Sequence, residues 1–236
     1  MPFRRKARRP RRRKNWRGKY NPRPFQLTKR RPTSMAPRIL NFKRSMAETM
    51  ILNSASAPEG WTALADNALV QNYIIGLTNV SDHTDFTNLF QSYRIKGVRL
   101  QGYYANTESQ HNENLQTMLY YCQNNMGDTP ASSLDEQWFL DKPRSRKKLL
   151  LQGSGRPSFD IYMPVSQLTN IYQSAVATDY GMIKPRFISC TETTTPHYGF
   201  SLRLQRVDGQ AFSTNATEYP VIKIIQTVYF QMRGIH

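Results

Sequence analysis

The stretch Tyr198-Gly199-Phe200-Ser201-Leu202-Arg203-Leu204-Gln205 decides the fold of this chain. Large apolar side chains alternate in it with small or polar ones, as they do in a β-strand that packs one face on a core. A second stretch, residues 222–232, repeats the pattern, and its apolar residues of one parity are Ile222, Ile224, Val228, Phe230 and Met232. Two such strands indicate a β protein.

Weaker patterns of the same kind predict further strands toward the N-terminus, at Phe42–Leu52, Leu69–Leu77, Leu115–Gln123, Ser158–Met163 and Arg186–Cys190. Residues 115–123 are apolar on both parities, which is typical of a central strand covered on both faces. Another strand starts at Tyr93, and its apolar residues change from odd to even numbers at Gly97. Because strand side chains alternate between faces, we predict a β-bulge near Gly97.

Helical patterns are confined to two short segments. Ser81–Phe90 places Phe86, Leu89 and Phe90 on one face of a helix, and Ser132–Phe139 has a capping serine followed by acids. Residues 164–184 look like a long irregular connection. About eight strands joined by turns, with only short helices, predict an all-β domain over residues 45–236 that forms a two-sheet antiparallel sandwich.

The N-terminal arm, residues 1–44, carries most of the charge. It holds 18 of the 33 Lys and Arg and no acid, whereas residues 45–236 hold 15 bases and 16 acids. Because a segment this basic and polar cannot fold alone, we expect a largely disordered arm that binds a polyanion. Its aromatic residues favour single-stranded nucleic acid, whose bases stack on such rings, although they could also hold the arm on the body. The predicted nucleic-acid-binding residues are Arg4, Arg5, Lys6, Arg8, Arg9, Arg11, Arg12, Arg13, Lys14, Trp16, Arg17, Lys19, Tyr20, Arg23, Phe25, Lys29, Arg30 and Arg31.

A second basic cluster consists of Lys142, Arg144, Arg146, Lys147 and Lys148. These residues could form a solvated strand end, or a patch that faces phosphate, a sulfated glycan or a protein partner. The sequence alone leaves these alternatives open.

Several function classes find no support in the sequence. No segment has the run of about 18 apolar residues that crosses a membrane, and no secretory signal is recognisable, so we expect a soluble protein in a reducing compartment. Cys122 and Cys190 are expected to be buried free thiols. No metal-ligand spacing and no phosphate-binding or nucleophile motif is present, so we expect no enzyme activity, cofactor or metal.

In the order of its features, the chain resembles the capsid proteins of small circular single-stranded DNA viruses that encode a replication initiator, of which circoviruses are the best known. The matching features are the arm Arg4–Lys14, the short helix before Tyr93–Leu100, the alternating strand Tyr198–Leu204 and a closing strand that ends near Arg233. The resemblance implies an eight-stranded jelly roll of two four-stranded sheets. It also implies a T=1 icosahedral shell of about 60 identical copies, the arm pointing inward onto viral DNA.

The resemblance further implies that the protein is part of the virion and is located in the host nucleus during assembly. The basic run could then also be a nuclear localisation signal read by import receptors, and a cell-surface attachment factor is a further possible partner. Two other interpretations remain: a cellular nucleic-acid-binding protein, such as a ribosomal or chromatin component, and a jelly-roll carbohydrate-binding module with a nuclear-targeting tail.

Overall fold

The structure is a computed structural model that describes residues 38–106, 116–127, 136–150, 156–173, 176–212 and 220–235. Its helices are α1 (His83–Leu89) and α2 (Glu136–Asp141), with a 3₁₀ turn at Leu77–Asn79. Its strands are β1 (Ile39–Ile51), β2 (Thr62–Ala63), β3 (Leu69–Ile75), β4 (Phe90–Asn106), β5 (Thr117–Gln123), β6 (Arg146–Leu150), β7 (Phe159–Pro164), β8 (Gln167–Gln173), β9 (Val176–Ile183), β10 (Ile188–Ser189), β11 (His197–Arg206) and β12 (Pro220–Ile235).

Ten of these strands form two antiparallel sheets. The β1 sheet has the order β1-β12-β4, and both β7 and β10 pair with the far side of β4. The β11 sheet has the order β2-β3-β11-β5-β6. Neighbours within each sheet are mostly distant in sequence, as they are in a jelly roll. The predicted all-β jelly roll is therefore confirmed, each sheet having four main strands and one two-residue strand.

A single large core fills the space between the sheets. The stretch that decided the fold supplies Phe200, Leu202 and Leu204, all nearly or fully buried, and β12 supplies Ile222, Ile224, Val228, Phe230 and Met232. Phe200 stacks on the Tyr73 ring with 4.6 Å between the ring centroids. Aromatic pairs in such contact stabilise a core beyond their burial alone.

The predicted bulge is present. Tyr229 pairs with Gly97 and Phe230 pairs with Ile95, so one extra residue of β4, Lys96, stands against β12. The extra residue shifts the parity, which allows both Ile95 and Val98 to face the core. The prediction for β5 is also confirmed, because Leu119 faces the main core while Tyr120 belongs to a second cluster beneath α2.

Several sequence predictions need correction. Residues 167–183 form the β8–β9 hairpin, although an irregular connection was predicted there. The first strand begins at Ile39, so residues 39–44, which the sequence analysis placed in the arm, pair with β12. One expected orientation is wrong: Leu89 on α1 is exposed, whereas Phe86 and Phe90 are buried. Ser158, before β7, is also buried, and its hydroxyl accepts a hydrogen bond from the Tyr104 backbone nitrogen at 3.1 Å.

Candidate nucleic-acid interface

The predicted DNA-binding residues Arg4–Arg31 lie outside the described residues, and the described chain starts at Arg38. That residue is exposed and leads directly into β1. Of the basic residues predicted for the arm, Lys43 and Arg44 lie within β1 and point to opposite faces of the sheet. Arg44 lies over the Phe86 ring at 4.9 Å from its centroid and 3.9 Å from an Asp82 carboxylate oxygen. Lys43 is on the outer face and exposed.

The second basic cluster lies along one edge of the β11 sheet. Arg146, Lys147 and Lys148 are exposed on β6, which pairs with β5 on one side only. Lys142 packs its ammonium group 4.6 Å from the centroid of the Trp138 ring. Three of the five predicted residues thus lie on an exposed strand that has one neighbour among the described residues, and Lys142 and Arg144 lie in the segment before it. Positive charge on an exposed edge strand also discourages unwanted pairing with another chain.

The sequence analysis missed a third basic surface, the outer face of the β1 sheet. Side chains on this face alternate with core residues along β1, β4 and β12, which the strand pairing brings side by side. Its basic residues without a carboxylate partner among the described residues are Lys43, Arg94, Lys96, Lys223 and Arg233. The polar parity of each strand was visible in the sequence, but only the register shows that these residues share one surface.

Aromatic rings lie among these basic residues. Tyr162 on β7 packs edge-to-face on Tyr229 of β12 with 5.8 Å between centroids, and it is 54% exposed. Its hydroxyl lies above Gly97, where a Cβ atom would come within 2.5 Å of the Tyr162 oxygen. The glycine that permits the bulge therefore also allows Tyr162 to lie flat across β4. Surfaces that bind single-stranded nucleic acid usually combine exposed aromatic rings with basic side chains.

Two arginines at one end of the face share a ring. The guanidinium carbons of Arg94 and Arg233 each lie 4.6 Å from the centroid of Phe187, the residue before β10. The Arg94 Nε donates to the Gln231 side-chain oxygen at 2.6 Å, and the Gln231 amide nitrogen donates to Asn41 at 2.6 Å. These hydrogen bonds orient the Arg94 guanidinium while its two terminal nitrogens have no partner among the described residues.

One carboxylate, Asp160, belongs to this face within the described ranges. Arg99 binds it through two nitrogens at 2.7 and 2.5 Å. The guanidinium beside it lowers the pKa of Asp160 below its ordinary value, and these hydrogen bonds raise that of Arg99. The pair is neutral as a unit, so the five other bases give the face a net charge of about +5.

A metal-ion cluster and a membrane-spanning helix are both absent from the described part of the chain. Its His, Cys, Asp and Glu residues include no group of three placed to hold a metal ion. None of its helices has the length and apolar character needed to cross a membrane. Cys122 and Cys190 are both buried thiols outside any disulfide, as the sequence predicted.

Comparison with known proteins identifies the family. The model of the circovirus capsid protein family matches residues 1–236. Among solved structures, the 60-mer of the BFDV capsid protein superposes with a TM-score of 0.53 at 13% identity, covering 84% of this chain and 95% of that one. The decameric BFDV capsid protein gives 0.44 at 14% identity, covering 83% and 99%. Tobacco necrosis virus gives 0.43 at 7%, covering 85% and 97%.

No curated protein sequence matches this chain. The family model, however, spans every residue from the basic arm to the end of β12, and the fold is the jelly roll that the first solved relative shares. The chain belongs to the circovirus capsid protein family.

Proposed function

We propose that this capsid protein assembles with copies of itself into a closed icosahedral shell of about 60 subunits and packages single-stranded DNA through its N-terminal arm. The family match over residues 1–236 is the observation that carries the proposal. The 60-mer form of the BFDV capsid protein supports the copy number. A capsid protein is structural, and we propose no catalytic activity for it.

The charge distribution supports the role of the arm. Residues 1–38 hold 16 Lys and Arg and no acid, so each copy brings a polycation that can neutralise phosphates without reading sequence. Residues 45–236 are nearly neutral, with 15 bases and 16 acids. Subunits with near-neutral bodies can pack closely without strong mutual repulsion. The arm therefore supplies attraction to DNA while the body supplies assembly.

The same basic run fits a nuclear localisation signal. We propose that import receptors bind it before assembly and that the shell forms in the host nucleus, where the run then binds DNA. A cell-surface attachment factor is a further proposed partner, for which the exposed cluster Lys142–Lys148 is one candidate surface. These roles differ in time, so the same protein can perform all of them.

The experiment replaces the nine bases of Arg4–Lys14 by glutamine in the full chain, with a control that replaces the five bases of Lys142–Lys148. We expect the wild-type protein to form uniform shells in electron microscopy that contain nuclease-protected single-stranded DNA. The arm variant should lose a large part of that DNA, whereas the control should keep it. Equal DNA content in all three proteins would contradict the proposed role of the arm, and a stable monomer at every salt concentration would contradict assembly.

A further inference from the structure

We propose that the outer face of the β1 sheet is a second nucleic-acid-binding surface, on which Arg94 and Arg233 bind phosphates of a single strand and Tyr162, Tyr229 and Phe187 contact its bases. The proposal rests on the proposed function and deepens it, because it places part of the DNA contact on the folded body. The sequence analysis assigned that contact to the arm and left the role of the Lys142–Lys148 cluster open.

The first argument is electrostatic. The guanidinium carbons of Arg94 and Arg233 are both 4.6 Å from the Phe187 centroid, so they lie at most about 9 Å apart, and neither has a carboxylate partner among the described residues. Stacking on the ring offsets part of their repulsion, but a bound anion would remove it. Elsewhere in the described chain Arg44, Arg99, Arg203 and Arg206 each have a carboxylate partner. The arginine pair, Arg94 and Arg233, is arranged for an anion supplied from outside.

The second argument concerns geometry. The hydrogen bonds from Asn41 through Gln231 hold the Arg94 guanidinium by its Nε. Its two terminal nitrogens have no partner among the described residues and form the fork that binds a phosphate through two hydrogen bonds. Less entropy is lost on binding when a side chain is already oriented. The arginine pair is therefore a better phosphate site than the exposed lysines of β6, for which no such hydrogen bonds occur among the described residues.

The third argument is continuity with the arm. Ile39, the first residue of β1, pairs with Arg233, and Arg233 pairs with Ser92 two residues before Arg94. Neighbouring strands lie about 4.8 Å apart, so the chain that leads to the arm leaves the sheet beside the arginine pair. The first residues of β1 and the arginine pair therefore lie at the same end of the sheet.

The fourth argument is the chemistry of the whole face. Its basic side chains are interleaved with the rings of Tyr162 and Tyr229, and its one described carboxylate, Asp160, is already neutralised by Arg99. A sulfated glycan needs only positive charge for binding, whereas exposed aromatic rings favour a ligand whose nucleobases can stack on them. We therefore assign the face to single-stranded nucleic acid.

The test uses the full chain carrying Arg94→Gln and Arg233→Gln, with Arg146→Gln and Lys147→Gln on β6 as the matched control. The probe is an oligothymidylate, and its affinity is measured over a range of salt concentrations. We expect the slope of log affinity against log salt to fall by about 1.4 for the face variant, or about 0.7 for each lost phosphate contact, and to stay unchanged for the control. Ultraviolet cross-links mapped by mass spectrometry should include Tyr162, Tyr229 or Phe187.

Three results would overturn the inference: an unchanged slope with cross-links confined to residues 1–38, an equal loss in the control, or weakened binding of heparin oligosaccharides without any effect on oligothymidylate. Circular dichroism of both variants establishes that they are folded. If the wild-type chain does not bind the oligonucleotide at all, the proposed function fails. If it binds only through the arm, the inference about the face fails and the proposed function stands.

Discussion

At the scale of single residues, Arg203 shows how the fold accommodates a charge in its interior. Its side chain is 1% exposed on β11, and its Nη2 lies 2.5 Å from an Asp66 carboxylate oxygen and 2.8 Å from the Gln205 side-chain oxygen. Asp66→Ala should lower the free energy of unfolding by about 3 kcal/mol, because a buried guanidinium would lose its counter-charge. Urea denaturation of the unassembled subunit measures this change.

Arg203→Met is the matched control, since it keeps much of the side-chain volume and removes the buried charge. Asp66 retains 42% exposure of its side chain and can be hydrated when the arginine is gone. The cost should therefore be below about 1 kcal/mol, as for other buried ion pairs that apolar side chains replace. A loss as large as that of Asp66→Ala would show that the ion pair itself stabilises the fold.

His197 makes the stability of the body depend on pH. It is fully buried, its Nδ1 donates to the Thr195 carbonyl oxygen at 3.1 Å, and its Nε2 accepts from the Gln167 amide nitrogen at 2.9 Å. The Gln167 oxygen accepts from the Arg186 backbone nitrogen at 2.9 Å, which opposes rotation of the amide. Burial lowers the pKa of His197 to about 4, so the folded protein holds this ring neutral.

The sign of the effect follows from this lowered pKa. Above pH of about 6.5 the histidine is neutral in both states, and its contribution to stability is complete. Between about 6.5 and 4 only the unfolded chain binds the proton, so stability should fall by up to about 3 kcal/mol. His197→Gln should remove the loss in that range, as followed by urea denaturation at successive pH values. An unchanged pH profile would mean that other groups cause the loss.

At the scale of elements, the bulge in β4 depends on the absence of a side chain at Gly97. A Cβ atom there would lie 2.5 Å from the Tyr162 hydroxyl oxygen and 2.8 Å from the Met163 carbonyl oxygen. The tyrosine could move, but the carbonyl belongs to the paired strand β7. Gly97→Ala should therefore cost about 2 kcal/mol of stability, within the range for overpacking, as measured by thermal unfolding.

Gly199→Ala is the control for that substitution. Gly199 is also buried and also sits at a register shift, between β11 and β3, but a Cβ atom there would meet its nearest neighbours at 3.5 Å, an ordinary contact. Its melting temperature should change much less than that of Gly97→Ala. Equal changes in melting temperature would mean that both glycines act through the flexibility of the chain and not through a lack of room for a Cβ atom.

The sequence predicted those elements that pack one face on the core. The stretches 198–205 and 222–232 alternate because the core selects every second residue, and the bulge followed from a change of that parity. The hairpin β8–β9 was missed for the same reason. Tyr180 and Met182 on β9 are more than half exposed, so no buried face imposes an alternation on that part of the sequence. Strand β1 was predicted too short because Ile39 is exposed at the edge of its sheet.

At the scale of the whole molecule, the candidate nucleic-acid surface divides into a part that sequence can predict and a part that it cannot. The arm is recognisable because its bases are contiguous and lack acids. The arginine pair is not, since Arg94 and Arg233 lie on strands distant in sequence and meet Phe187 only through the pairing of β4 with β12 and β10. Charge composition reveals a polycationic tail, whereas a basic face requires the register.

The two proposed surfaces together predict how much nucleic acid each subunit should carry. Residues 1–38 contribute 16 bases and the outer face of the β1 sheet contributes about five more, and each can neutralise one phosphate. Replacing the nine bases of Arg4–Lys14 by glutamine should therefore lower the content of purified particles by about nine nucleotides per subunit, and replacing the arginine pair should lower it by about two. Phosphorus analysis against protein concentration measures the ratio, and the Arg146→Gln, Lys147→Gln variant should leave it unchanged. A nucleotide content that is the same in all variants would mean that the length of the genome, and not the charge of the subunit, determines how much nucleic acid is packaged.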